Sequence, residues 1–95
     1  MTGFVFRLIA PRPDFSLTMS EDERATMTAH VSYWSSLAAA GTVLAFGPVI
    51  DPREPYGIGI IVAPDLAAAE VIRDSDPAVR SGHGSVPRSH PWQSW

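Results

Sequence analysis

The sequence predicts an α+β domain of the ferredoxin-like kind, βαββαβ, with a four-stranded antiparallel sheet and two helices on one of its faces. Three observations lead there. Apolar runs rich in aromatic and branched residues stand at 3–10, 42–50 and 56–63; two helical stretches, 21–40 and 66–75, alternate with them; and proline, glycine or aspartate punctuates the junctions. One weaker strand near the C-terminus, over 84–90, completes the order strand, helix, strand, strand, helix, strand.

The first run, GFVFRLIA, places Phe4, Phe6 and Leu8 on one face at period two. Pro11 and Pro13 then end it, since neither can donate to a ladder, and the spacing predicts an extended loop through PRPDFSLT. Ser20 with Glu23 three residues later forms a capping box, and Glu21, Asp22 and Glu23 put negative charge at the positive end of a helix dipole. The helix is expected to run to Ala40, with Gly41 as its left-handed stop. Its wheel gathers Met27, Val31, Trp34 and Ala38 into an apolar stripe, flanked by Tyr33 and Leu37, with His30 on the border.

TVLAFGPVI is the second strand, and Gly47 with Pro48 predicts a bulge or a sheet edge within it. A loop, DPREP, leads to YGIGIIVA, whose Gly57 and Gly59 leave one face bare for close approach by a helix or ligand. Asp65 caps the second helix, in which Leu66, Ala69, Val71 and Ile72 are expected to pack inward. The DP pair at 76 and 77 ends that helix, because a residue before proline avoids helical geometry. Beyond it, Pro87 and Pro91 and the scarcity of strand formers predict an irregular tail over 84–95, with Trp92 and Trp95 either docked across a partner or loose.

Ninety-five residues form one small domain, 1–95, able to bury roughly 60–65% of its unfolded surface. The 45% hydrophobic and 18% charged content argues for a packed core rather than disorder. All seven basic residues are arginines, scattered along a chain of net charge −3, so no basic stripe exists for nucleic acid or an anionic membrane. Without cysteine there is no disulfide, thiolate nucleophile or thiolate metal site. The N-terminal run is too short and carries Arg7, which fits neither a signal peptide nor a spanning helix, so a cytoplasmic location is expected.

Chemistry has few places to reside. The histidines at 30, 83 and 90 lack the i, i+4 or i, i+2 spacing of a preformed metal site. SGHGS is not a nucleophile elbow, and GIG is too short for a dinucleotide fingerprint. His30 remains, with the carboxylates that the topology brings near it, Asp74 and Asp76 at the end of the second helix. A carboxylate on one imidazole nitrogen fixes the tautomer and leaves the other nitrogen as a base. Against this stands the plainer reading, a packed histidine with one hydrogen bond, which is the commoner fate of a lone histidine bordering an apolar helical face.

MTAHVSYWSSLAAAGTVLAFGPVID followed by GIGIIVAPDLAAAEVIRDSDPAV resembles, in order and spacing, the YCII-related proteins of the dimeric α+β barrel superfamily. The resemblance implies a homodimer whose sheets close into a dimeric α+β barrel, and an acid–base pair at the positions of His30 and Asp76. It also puts Gly47 and Pro48 near the same cleft, and implies proton transfer on small ring compounds for a few relatives. The expectation is therefore a small dimeric enzyme-like protein performing general acid–base chemistry on an aromatic or lactone-type molecule. His30 and Asp76 are its catalytic pair and Tyr33, Trp34, Phe46, Gly47 and Pro48 line its substrate pocket. No cofactor and no metal are expected. The alternative is a non-catalytic small-molecule-binding or accessory dimer in which the pair is structural.

Overall fold

The computed structural model describes residues 2–82 and 93–94. Its elements are β1 (Thr2–Ile9), α1 (Phe15–Thr18), α2 (Glu21–Ala39), β2 (Val43–Val49), β3 (Tyr56–Ala63), α3 (Leu66–Asp74), α4 (Pro77–Ser81) and β4 (Gln93–Ser94). The strands form one antiparallel sheet in the order β2-β3-β1-β4, the ferredoxin-like arrangement. The strand expected over 84–90, the histidines at 83 and 90, and Trp92 and Trp95 lie outside the described residues; the fourth strand that is described pairs Gln93 and Ser94 with Val5 and Phe4.

Alternation along β1 buries Phe4, Phe6 and Leu8, which sit opposite Ile61, Gly59 and Gly57 of β3. Onto this face pack Trp34 of α2, Ala69 of α3 and Ala78 of α4, so the helices share one side of the sheet. The other side carries Val5, Ile58, Ile60 and Val62, none fully buried, with Leu44 62% exposed at its edge. Among the described residues no helix is long and apolar enough to cross a membrane.

Of the bulge or sheet edge expected at Gly47 and Pro48, the edge is found: β2 is the outer strand, its one irregularity falls between Val43 and Ala45, and Gly47 and Pro48 pair in register with Ile58 and Gly57. Because β2 is the sheet edge, the missing proline donor is tolerated there without a bulge. Other local expectations are corrected. Leu66 and Val71 are 46% and 66% exposed, and α3 instead packs through Ala68, Ala69 and Ile72. Two short helices interrupt stretches expected as loops. α1 replaces part of the extended PRPDFSLT segment, and the DP pair, besides ending α3, starts α4, with Asp76 as N-cap, Pro77 in its first turn and Gly82 left-handed at its end.

The capping box forms as expected. The Glu23 amide donates to Ser20 Oγ at 3.1 Å, the Ser20 amide donates to Glu23 Oε1 at 2.9 Å, and Gly41 takes φ +85° past the helix end. Arg12 adds a clamp, donating from both terminal nitrogens to the Glu23 carboxylate at 2.7 and 2.9 Å and from Nε to Thr18 Oγ1 at 2.8 Å. It thereby ties α1 to the start of α2.

The Arg12 hydrogen bonds, helped by the Ser20 amide, hold the Glu23 carboxyl down at about 2, against an ordinary 4.5. A depressed carboxyl stabilises the fold fully above its unfolded value and loses that contribution as pH falls through the folded one. Glu23→Gln is therefore expected to flatten the decline of Tm between pH 4.5 and 2. Parallel Tm–pH curves for variant and wild type would show that the clamp contributes nothing.

Candidate active site

The buried stripe of α2 is rotated from the one its hydrophobicity suggests. Ala38 faces solvent, Val31 is half exposed at the rim of a cavity, Trp34 is 1% exposed, and Met27, His30, Tyr33 and Leu37 are half-buried around it. His30 stands within the inward face, beside its centre. The reason is polar: His30 and Trp34 both turn toward a single acceptor, Asp76, and a wheel weighted by apolarity cannot register that preference.

Asp76 is completely buried and has three donors around its two oxygens. Oδ1 accepts the Ala78 amide at 2.9 Å, Oδ2 accepts the Trp34 indole N–H at 2.8 Å, and His30 Nδ1 lies 2.8 Å from both. Only a carboxylate offers acceptors and no competing proton to three N–H groups. In the neutral imidazole the proton therefore sits on Nδ1, and Nε2 is the nitrogen that can accept one. Among the described residues nothing bonds Nε2. Asp74 takes no part: it lies on the surface, accepting from Arg73 Nε at 2.8 Å.

The imidazole opens on a cavity of about 320 Å³ between the sheet and the first two helices. The sheet supplies Phe6, Leu8, Phe46 and the bare backbone of Gly57 and Gly59; α2 supplies Met27, His30, Val31 and Trp34; and α1 with its C-terminal flank supplies Phe15, Ser16 and Met19. Gly47 and Pro48 line it as well, although a Cβ on Gly47 would meet nothing within 4 Å, so no close approach explains that glycine. Among the described residues no arginine or carboxylate lines the cavity; His30, Ser16 and Tyr56 are its polar members apart from the indole. Nor is there among them any cluster of three His, Cys, Asp or Glu side chains that could hold a metal ion.

Of the seven residues expected at the site, six are gathered there, with Asp76 behind His30. Tyr33 is not. Its hydroxyl donates to the Ile72 carbonyl oxygen at 2.7 Å, and its ring stands edge-on to Trp34, away from the cavity. Burial raises the Tyr33 phenol above its ordinary 10.0, which keeps it a donor. The wall expected of Tyr33 comes instead from Met27 and Val31 on the same helix, and from Phe15 and Met19. The α1 contribution escaped a sequence reading because four helical residues are too few to show a period.

A family model described as the YCII-related domain matches residues 4–93. No curated protein matches by sequence. Among solved structures, the chain is similar to 5-chloro-2-hydroxyhydroquinone dehydrochlorinase from Burkholderia phenoliruptrix AC1100, determined in complex with 2,5-dihydroxybenzoquinone. The TM-score is 0.65 at 16% identity, over 100% of this chain and 91% of that one, a likeness that speaks to the fold. The family match spans the three long strands, both long helices and the positions of His30 and Asp76, and on it the chain belongs to the YCII-related domain family.

Proposed function

We propose that the protein is a homodimeric, enzyme-like general acid–base catalyst acting on a small, uncharged aromatic or lactone-type molecule. His30 Nε2 takes up or returns the proton, and Asp76 orients the imidazole and balances the charge it acquires. The observation that carries this reading is the imidazole itself, held at Nδ1 by a buried carboxylate and lining an apolar cavity.

The ligand class follows from the lining. A cavity of about 320 Å³ suits a single ring, its walls are mostly aliphatic and aromatic, and among the described residues no arginine lines it to neutralise an acid group. With the Asp76 charge behind the imidazole, a neutral phenol, enol or lactone fits better than a carboxylate. Trp34 and Phe46 offer ring faces, and backbone groups beside Gly47, which lines the same cavity, are the donors proposed for a developing oxyanion. Such a proton transfer needs no cofactor. That the solved neighbour is a dehydrochlorinase holding a quinone agrees with this class.

His30→Ala is expected to keep the fold, since Asp76 still accepts from Trp34 and Ala78, and to slow the reaction about 10²- to 10⁴-fold. The assay is solvent deuterium incorporation into a panel of phenols, quinols and lactones, read by mass spectrometry. Exchange at the wild-type rate in the variant would remove His30 from the chemistry.

One observation favours the second reading, a non-catalytic binding or accessory dimer. The hydrogen bonds of Asp76 join α4 to α2, so the pair would serve packing even without a reaction. If the wild type binds panel members without exchanging any proton, that reading replaces the first.

A further inference from the structure

The residue that holds the pair in place is neither of its members. Asp76 Oδ1 is fixed by the Ala78 amide, at the start of the helix that Asp76 itself caps. Oδ2 has one partner besides His30, the Trp34 indole N–H at 2.8 Å. Remove that donor and the carboxylate can turn about its Cβ–Cγ bond, drawing one oxygen away from Nδ1.

The indole in turn has one place to sit. Its ring is stacked on Phe6, with centroids 5.3 Å apart and planes 16° from parallel, and its outer edge rests on Gly59 of β3. A Cβ built on Gly59 would fall 2.8 Å from Cζ3 and 3.0 Å from Cη2 of Trp34, closer than a rigid ring can accept. Nε1 lies across the ring system from that edge, so an indole displaced from Gly59 carries its N–H off Asp76.

We propose that Trp34 is a positioning residue of this site and Gly59 its seat: the space at Gly59 sets the indole, the indole N–H sets the Asp76 carboxylate, and the carboxylate sets the tautomer and aim of His30. The inference rests on the proposed role of His30 for its consequence in catalysis, but not for its test. The three atoms nearest a Cβ on Gly59 all belong to Trp34, so the substitution would act through the ring above it.

The test reads the imidazole directly, by ¹⁵N-edited NMR at neutral pH on the whole chain without ligand. The wild type is expected to show His30 in the Nδ1–H form. Trp34→Phe, which keeps an aromatic ring and deletes the donor, is expected to lower the ratio of Nδ1–H to Nε2–H forms about three- to tenfold, the worth of one net hydrogen bond. Gly59→Ala, which keeps the donor and removes its seat, is expected to lower it similarly and to shift the Trp34 indole proton. Val43→Ala, a buried β2 substitution, controls for general loosening: it is expected to lower Tm and leave the His30 signals in place.

An unchanged His30 pattern in Trp34→Phe overturns the proposal, as does a change of equal size in Val43→Ala. Should Trp34→Phe fail to fold, Gly59→Ala decides alone, and wild-type His30 signals there overturn it too. Failure of the acid–base reading shows in the exchange assay with His30→Ala, and failure of the positioning chain shows in these spectra, so the two are told apart.

Discussion

Asp76→Ala is expected to cost about 3–5 kcal/mol, the magnitude found when one partner of a buried charged network is removed. The indole N–H, the Ala78 amide and the His30 Nδ1–H would all lose their acceptor in a place closed to water, and α4 would lose its N-cap. For a small domain of about 5–15 kcal/mol total stability, that approaches unfolding. Asp76→Asn separates stability from chemistry. An amide has one acceptor oxygen and one NH₂, so it cannot accept from both Trp34 and Ala78 and also from His30. The NH₂ must meet one of these donors or turn to Nδ1, and in the second case His30 flips to the Nε2–H form, with its proton where the base should be. The Asn variant is thus expected to lose about 1–3 kcal/mol in urea unfolding while activity falls about 10²- to 10⁴-fold. Retention of activity in a folded Asn variant would rule out an orienting role for the carboxylate.

Ile60→Glu is expected to turn a dimer into a monomer without harming the fold. Ile60 stands opposite Val5 and Ala45 in the middle of the sheet face that carries no helix, flanked by Ile58 and Val62. In the homodimer proposed here two such faces meet, and each copy of the variant would bury an unpaired carboxylate at a cost of several kcal/mol. The dissociation constant should then rise by about three orders of magnitude or more. Sedimentation velocity at micromolar concentration reads the change, and circular dichroism checks that the monomer is folded. A wild type that sediments as a monomer under those conditions would remove the sheet-to-sheet dimer.

The fold was legible because its signals are local and redundant. Period two in Phe4, Phe6 and Leu8, the Ser20–Glu23 box, and the Gly41 stop each depend on a handful of neighbouring residues and agree with one another. The pair of His30 with Asp76 was legible only through topology and resemblance, since forty-six positions separate them. Three features were hidden. The turn of α2 toward His30 depends on a distant acceptor, α1 is shorter than any periodicity, and the turn of Tyr33 away from the cavity depends on the Ile72 carbonyl of α3. In each case a hydrogen-bond partner or a close contact far along the chain outweighs the hydrophobic pattern. The start of α4 has local signals, Asp76, Pro77 and Gly82, but the DP pair reads first as the stop of α3, and five helical residues are too few for a period.

Asp76 caps the start of a helix, anchors a tryptophan and orients an imidazole with a single carboxylate. Selection for folding alone is enough to retain it, so its presence in a sequence carries little news about activity. His30 has the lesser structural duty: beyond its contact with Asp76 it caps no helix, and its ring lines the cavity. If this chain catalyses the proposed reaction, then in descendants that abandoned it mutation would erase the histidine first and leave the aspartate standing, a fossil of the site that still holds up the wall.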